Sequence, residues 1–107
     1  DIIQFVNFND RAWHAGRSAY LGKVECNDYS IGIELEGSDD RDFEAIQYQQ
    51  LVDVVAILQH AYPKTDHHLT GHSDIASGRK TDPGPHFQWQ QFRESLNQKK
   101  LKVEQAK

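Results

Sequence analysis

His72, Lys80 and Asp82 stand close together in one stretch, Gly71-His72-Ser73-Asp74-Ile75-Ala76-Ser77-Gly78-Arg79-Lys80-Thr81-Asp82-Pro83-Gly84-Pro85. An imidazole nitrogen and a carboxylate oxygen are both ordinary zinc ligands. A lysine ammonium nearby can stabilise developing negative charge. The ten-position separation of His72 and Asp82 either brings two ligands to one metal or leaves solvated charges on a structural loop. The stretch is too rich in glycine and proline for regular structure. Pro83 and Pro85 fix their own φ angles and disfavour the α region for Asp82 and Gly84. That holds the Asp82 carboxylate in a defined place, although a helix N-terminus would be an equally good home for it.

A second set of groups lies on Tyr29-Ser30-Ile31-Gly32-Ile33-Glu34-Leu35-Glu36-Gly37. Ile31, Ile33 and Leu35 point one way; Ser30, Gly32, Glu34 and Glu36 point the other, which predicts a strand over 29–36. The polar face carries two carboxylates, groups able to take and return a proton. Such a face is either solvated or lines a site. Gly32 favours a site, because glycine inside a strand marks close approach of a ligand or another backbone. The third set is Arg11-Ala12-Trp13-His14-Ala15-Gly16-Arg17-Ser18, which has no clean period and reads as a loop. Its tryptophan, histidine and two arginines are groups that stack on sugars and bind carboxylates. The other reading is a tryptophan that closes the edge of the core.

Several elements must position these groups. Residues 2–8, rich in β-branched and aromatic types, read as a strand that ends in a turn at Asn9-Asp10; 21–28 is irregular. Tyr48, Leu51, Val52, Val55 and Leu58 recur at helical spacing, and Ile46, Val54 and Ile57 widen the stripe. With Asp42 and Glu44 at the positive end of the dipole and Pro63 as a stop, this predicts a helix over 43–61. Its stripe is core, and His60 compensates the dipole at its end. A short strand over 68–71 places His72 at its C-terminal end. His86 to Leu96 reads as a final helix with Phe87, Phe92 and Leu96 inward and Trp89 near one edge. The tail 97–107 alternates charge without a strong stripe and is expected to fray. Together these elements predict one α/β domain over 1–107, a mixed sheet holding 2–8 and 29–36 packed by the helix.

Composition narrows the function classes. The chain has 107 residues, is 37% hydrophobic and carries a formal net charge of −4, with a mean hydropathy of −0.76. No basic run precedes the C-terminal tail, so a basic patch for nucleic acid is not expected. No apolar run approaches membrane-spanning length, and none reads as a secretory signal. Cys26 is the single cysteine, so no internal disulfide forms, as suits a reducing compartment. It reads as a buried small residue, not a nucleophile. The chain opens directly on a strand at Asp1, which reads as the middle of a domain.

Three stretches taken together resemble the zinc-dependent N-acetylmuramoyl-L-alanine amidases of the amidase_2, peptidoglycan-recognition-protein-like family, AmpD type. They are Arg11-Ala12-Trp13-His14-Ala15-Gly16, then Cys26-Asn27-Asp28 running into Ile31-Gly32-Ile33-Glu34-Leu35-Glu36-Gly37, then Thr70-Gly71-His72 with Lys80-Thr81-Asp82-Pro83-Gly84-Pro85. The resemblance runs from Asp1 to about Arg93. It implies a mixed central sheet flanked by helices and a Zn2+ cofactor held by two histidines and an aspartate. His72 matches the second histidine and Asp82 the aspartate. Glu34 matches the catalytic glutamate and Lys80 the lysine two positions before the aspartate. Arg11, Trp13, His14, Ala15 and Gly16 match the loop lining the muropeptide cleft. The implied reaction is hydrolysis of the amide between muramic acid and L-alanine of anhydro-muropeptides, in cytoplasmic peptidoglycan recycling in bacteria. Where AmpD-type members carry a basic residue just before the Cys-Asn pair, this chain has Glu25, which weakens the expected grip on a stem-peptide carboxylate. The first zinc histidine has no match, so it is expected from a segment N-terminal to Asp1, and residues 1–107 alone are expected to be a poor enzyme. The alternative is a non-catalytic peptidoglycan-binding module of the same fold.

Overall fold

The computed structural model describes the backbone of residues 2–105 and the side chains of 2–102. They divide into two compact units, Asp1–Glu36 with Thr70–Pro83, and Gly37–Leu69 with Gly84–Lys107.

The first unit is mostly irregular and is built around a small hairpin. Strands β1 (Ala19–Tyr20) and β2 (Lys23–Val24) run antiparallel, with Ala19 opposite Val24 and Tyr20 opposite Lys23. Leu21 and Gly22 between them have φ of 50° and 82°. Positive φ at both central positions is the type I′ arrangement, whose twist suits a two-residue hairpin. The sequence hid this turn because leucine is not among the residues that favour positive φ. A 3-10 turn, Cys26–Asp28, follows, with Cys26 buried as expected.

Neither 2–8 nor 29–36 is assigned as a strand among the described residues, and neither is 68–71. These are corrections to the predicted sheet, and their cause is general. Alternation specifies which side chains share a face, whereas a strand needs a partner backbone that local pattern does not name. The glycine- and proline-rich stretch also departs from expectation, since it opens with a one-turn helix α1, His72–Ile75, entered from an extended Gly71.

The second unit pairs two long helices, α2 (Ala45–Ala61) and α3 (Trp89–Gln105). Glu44 caps α2 through a reciprocal capping box with Gln47, in which Gln47 Oε1 accepts from the Glu44 amide at 2.8 Å, so two otherwise unpaired amides are satisfied. Pro63 disfavours helical geometry at Tyr62, and the chain leaves through a 3-10 turn, Pro63–Thr65. Val52, Val55, Ala56 and Gln59 are the buried face of α2; Ile46 and Ile57, expected to widen the apolar stripe, are exposed. His60 stands exposed in the last turn.

Phe87 is the hub of an aromatic cluster. It stacks on Tyr48 at 5.4 Å between centroids and meets Phe43, Trp89 and Phe92 edge-on or tilted. Phe92 and Leu96 turn inward as expected. The helix starts at Trp89 instead of His86 and runs on through the region expected to loosen. Ion pairs explain the continuation: Lys99 meets Asp53 of α2 at 3.3 Å, and Lys100 binds both the Asp66 carboxylate and the buried Gln59 amide oxygen. Phe92 is 2% exposed. Phe92→Ala should therefore lower unfolding free energy by about 3–5 kcal/mol, read from the shift in a denaturant midpoint. A loss under about 1 kcal/mol, typical of surface positions, would show that the cluster is not the core of this unit.

Candidate metal centre

His72 begins α1 and is 8% exposed. The Ser73 amide donates to the Asp82 carbonyl at 2.9 Å, which closes the intervening loop and returns Asp82 to the start of the helix. As a result His72 Nδ1 lies 2.6 Å from Asp82 Oδ2, and the same nitrogen lies 3.7 Å from Glu34 Oε1. Ligand-capable atoms of Glu34, His72 and Asp82 all fall within 4.8 Å of one another. Burial alone would raise the Asp82 pKa, but the hydrogen bond from His72, with the charges of His72 and Lys80, holds it below the usual carboxylate value.

This geometry is a fit test for a metal. A bare imidazole nitrogen and an ionised carboxylate oxygen are both acceptors, so they approach to 2.6 Å only with something positive between them. At 2.6 Å that is a proton, and a divalent cation binding both groups would displace it. One nitrogen and a carboxylate on one side of a small cluster, with a second carboxylate further out and 70% exposed, match zinc's preference for mixed nitrogen and oxygen ligands.

The loop predicted to line a site is held from below. Asn27, almost fully buried, accepts from the His14 and Ala15 amides at 3.0 and 2.8 Å. Arg79 donates to the carbonyls of Ala15 and Arg17, and Lys80 Nζ to that of His14 at 3.3 Å. Gly16 has φ of 62°, and a Cβ there would fall 2.9 Å from the Arg79 guanidinium. Ala15 is fully buried, so its methyl group serves the loop's packing and has no face to offer a ligand. Trp13 is 80% exposed, which removes the reading that it closes the core. The Arg11 guanidinium lies 3.7 Å from the centre of its ring and pairs with Asp28 at 2.6 Å and Glu25 at 3.4 Å. Glu25, the departure noted in the sequence, thus occupies Arg11. The supporting roles of Asn27 and Arg79 escaped the sequence reading, since a polar residue that holds a loop looks the same in sequence as one that faces water.

A sequence model described as N-acetylmuramoyl-L-alanine amidase (Amidase_2) matches residues 1–85. The chain belongs to the Amidase_2 family. Among its relatives, the 1,6-anhydro-N-acetylmuramyl-L-alanine amidase AmpD of Escherichia coli K12 is 55% identical over 93 residues, covering 87% of this chain and 51% of the relative. A crystal structure of a selenomethionine derivative of AmpD matches with a TM-score of 0.84 at 53% identity, over 87% of this chain and 52% of that one. AmiD from E. coli, solved in complex with the substrate anhydro-N-acetylmuramic acid-L-Ala-D-gamma-Glu-L-Lys, matches with a TM-score of 0.77 at 38% identity, over 89% of this chain and 40% of that one. The fold is therefore the α/β fold of this family. The chain spans about half the length of the curated relatives it matches. Among the described residues, no helix is long and apolar enough to cross a membrane.

Proposed function

We propose that this Amidase_2 chain carries zinc-binding and catalytic residues of an N-acetylmuramoyl-L-alanine amidase that acts on anhydro-muropeptides released from peptidoglycan. The observation that supports this best is the convergence of His72 Nδ1 and the Asp82 and Glu34 carboxylates within 4.8 Å. His72 and Asp82 would hold the metal. Bound zinc supplies a Lewis acid and a bound water of lowered pKa. A catalytic zinc needs three protein ligands, and the third is proposed to come from the part of the relatives that lies outside the matched stretch.

Glu34 is the proposed general base. It is 70% exposed, open to a substrate, and its Oε1 lies 3.7 Å from His72 Nδ1. It takes a proton from the attacking water as the new carbon–oxygen bond forms at the lactyl carbonyl. It then gives that proton to the L-alanine nitrogen as the carbon–nitrogen bond breaks. Lys80 is proposed to offset the negative charge that develops on the carbonyl oxygen. The exposed Trp13 ring suits a sugar ring on the face that Arg11 leaves open. We place the reaction in the bacterial cytoplasm, where recycled muropeptides are processed.

The test is hydrolysis of an anhydro-muropeptide by the complete protein, followed by mass spectrometry. Release of a peptide with a free L-alanine amine, lost with a chelator and restored by zinc, is the expected result. Saturable binding without cleavage would instead identify a non-catalytic binding module.

A further inference from the structure

Both nitrogens of the His14 ring are engaged. Nε2 lies 2.9 Å from Ser30 Oγ, and Nδ1 lies 3.1 Å from His72 Nε2. Ser30 Oγ also lies 2.6 Å from the Cys26 carbonyl oxygen. A carbonyl oxygen has no proton to give, so the single Ser30 hydroxyl proton points to Cys26 and its oxygen can only accept from His14. His14 Nε2 therefore donates. A histidine that binds a metal through Nδ1 keeps its proton on Nε2, so with a metal on His72 the Nε2–H donates to His14 Nδ1, 3.1 Å away. The His72 nitrogen facing Asp82 and Glu34 is Nδ1; the proton that holds its 2.6 Å contact with Asp82 is the one a metal would replace.

A further observation agrees. Gly32 leaves room for the ring, since a Cβ at that position would lie 2.5 Å from His14 Cγ and 2.7 Å from Nδ1. The close approach expected at Gly32 is thus made by a histidine side chain.

We propose that Ser30 and His14 fix the tautomer of His72, so that Nδ1 is presented as a metal ligand, with His14 acting as a positioning residue and Gly32 as its seat. The proposal rests on the reading of His72 as a zinc ligand. It moves His14 from the substrate loop to the support of the metal centre. Partners of this kind commonly contribute about 10–100-fold to metal affinity.

Zinc affinity of the complete protein, measured by competition with a chromophoric chelator, tests this. His14→Leu removes the acceptor and should weaken zinc binding about 10–100-fold. His14→Asn places an amide oxygen near the lost Nδ1 and should recover most of that loss, which a purely packing role would not predict. Ser30→Ala should weaken binding in the same direction and serves if His14→Leu does not fold. Long-range proton–nitrogen spectra of the unmutated zinc protein should show His72 protonated at Nε2. His14→Leu at unchanged affinity while His72→Ala loses zinc would overturn the tautomer proposal alone, as would a His72 protonated at Nδ1. Unchanged zinc binding in His72→Ala would overturn the ligand assignment and the proposal with it.

Discussion

His72→Ala in the complete protein should weaken zinc binding by more than about 100-fold, beyond the 10–100-fold range typical of residues that only support a ligand. The argument is coordinative. The imidazole is the sole nitrogen donor of the cluster among the described residues, and its Nδ1 is the atom that both carboxylates face. Alanine removes that donor and leaves the Asp82 carboxylate, already held ionised, facing water. Isothermal titration with zinc, after removal of the native metal, measures the change. Equal affinity in mutant and wild type would transfer the metal to other residues. Amidase turnover should fall with zinc occupancy and should not be recovered by micromolar zinc.

Glu34→Gln should lower the rate of amide hydrolysis by roughly 10²–10⁴-fold, the range a positioned acid–base group contributes, while zinc content stays at the wild-type level. Glutamine keeps the shape and hydrogen-bonding reach of the side chain but cannot shuttle a proton. The two readouts separate the possible roles of this carboxylate. Lost activity with retained zinc marks a base, whereas lost zinc marks a ligand. The Glu34 side chain is 70% exposed and open to an attacking water, whereas Asp82 is held against His72 at 2.6 Å, which is why retained zinc is expected. Near-normal turnover in Glu34→Gln would remove this residue from the mechanism.

The candidate site was more legible in the sequence than the sheet was. His72 and Asp82 could be weighed as a pair from their types and ten-position spacing, and matched to ligands by the family resemblance; the Ser73–Asp82 backbone bond closes the loop between them. Glu34 could be placed on a polar face by alternation alone, and Gly32 could be flagged as a point of close approach. What approached it could not be read, because His14 lies far away in sequence and carries nothing that names its partner. The long helix was legible through its apolar recurrence, its acidic start and Pro63. Its two outermost stripe residues were misread because a hydrophobic pattern does not say how wide the covering surface is. The tail of α3 was misread for a related reason. Its polar side chains find partners on α2 and at Asp66, and pairing between residues far apart in sequence leaves no local signature.

The most direct measurement of the central claim is anomalous scattering at the zinc edge from crystals of the complete, zinc-loaded protein. A single peak at about 2.0–2.2 Å from His72 Nδ1 and an Asp82 carboxylate oxygen is the expected result, with Glu34 outside bonding distance and His14 Nδ1 still against His72 Nε2. A peak bonded to His72 Nε2, or zinc bound away from both His72 and Asp82, would contradict it.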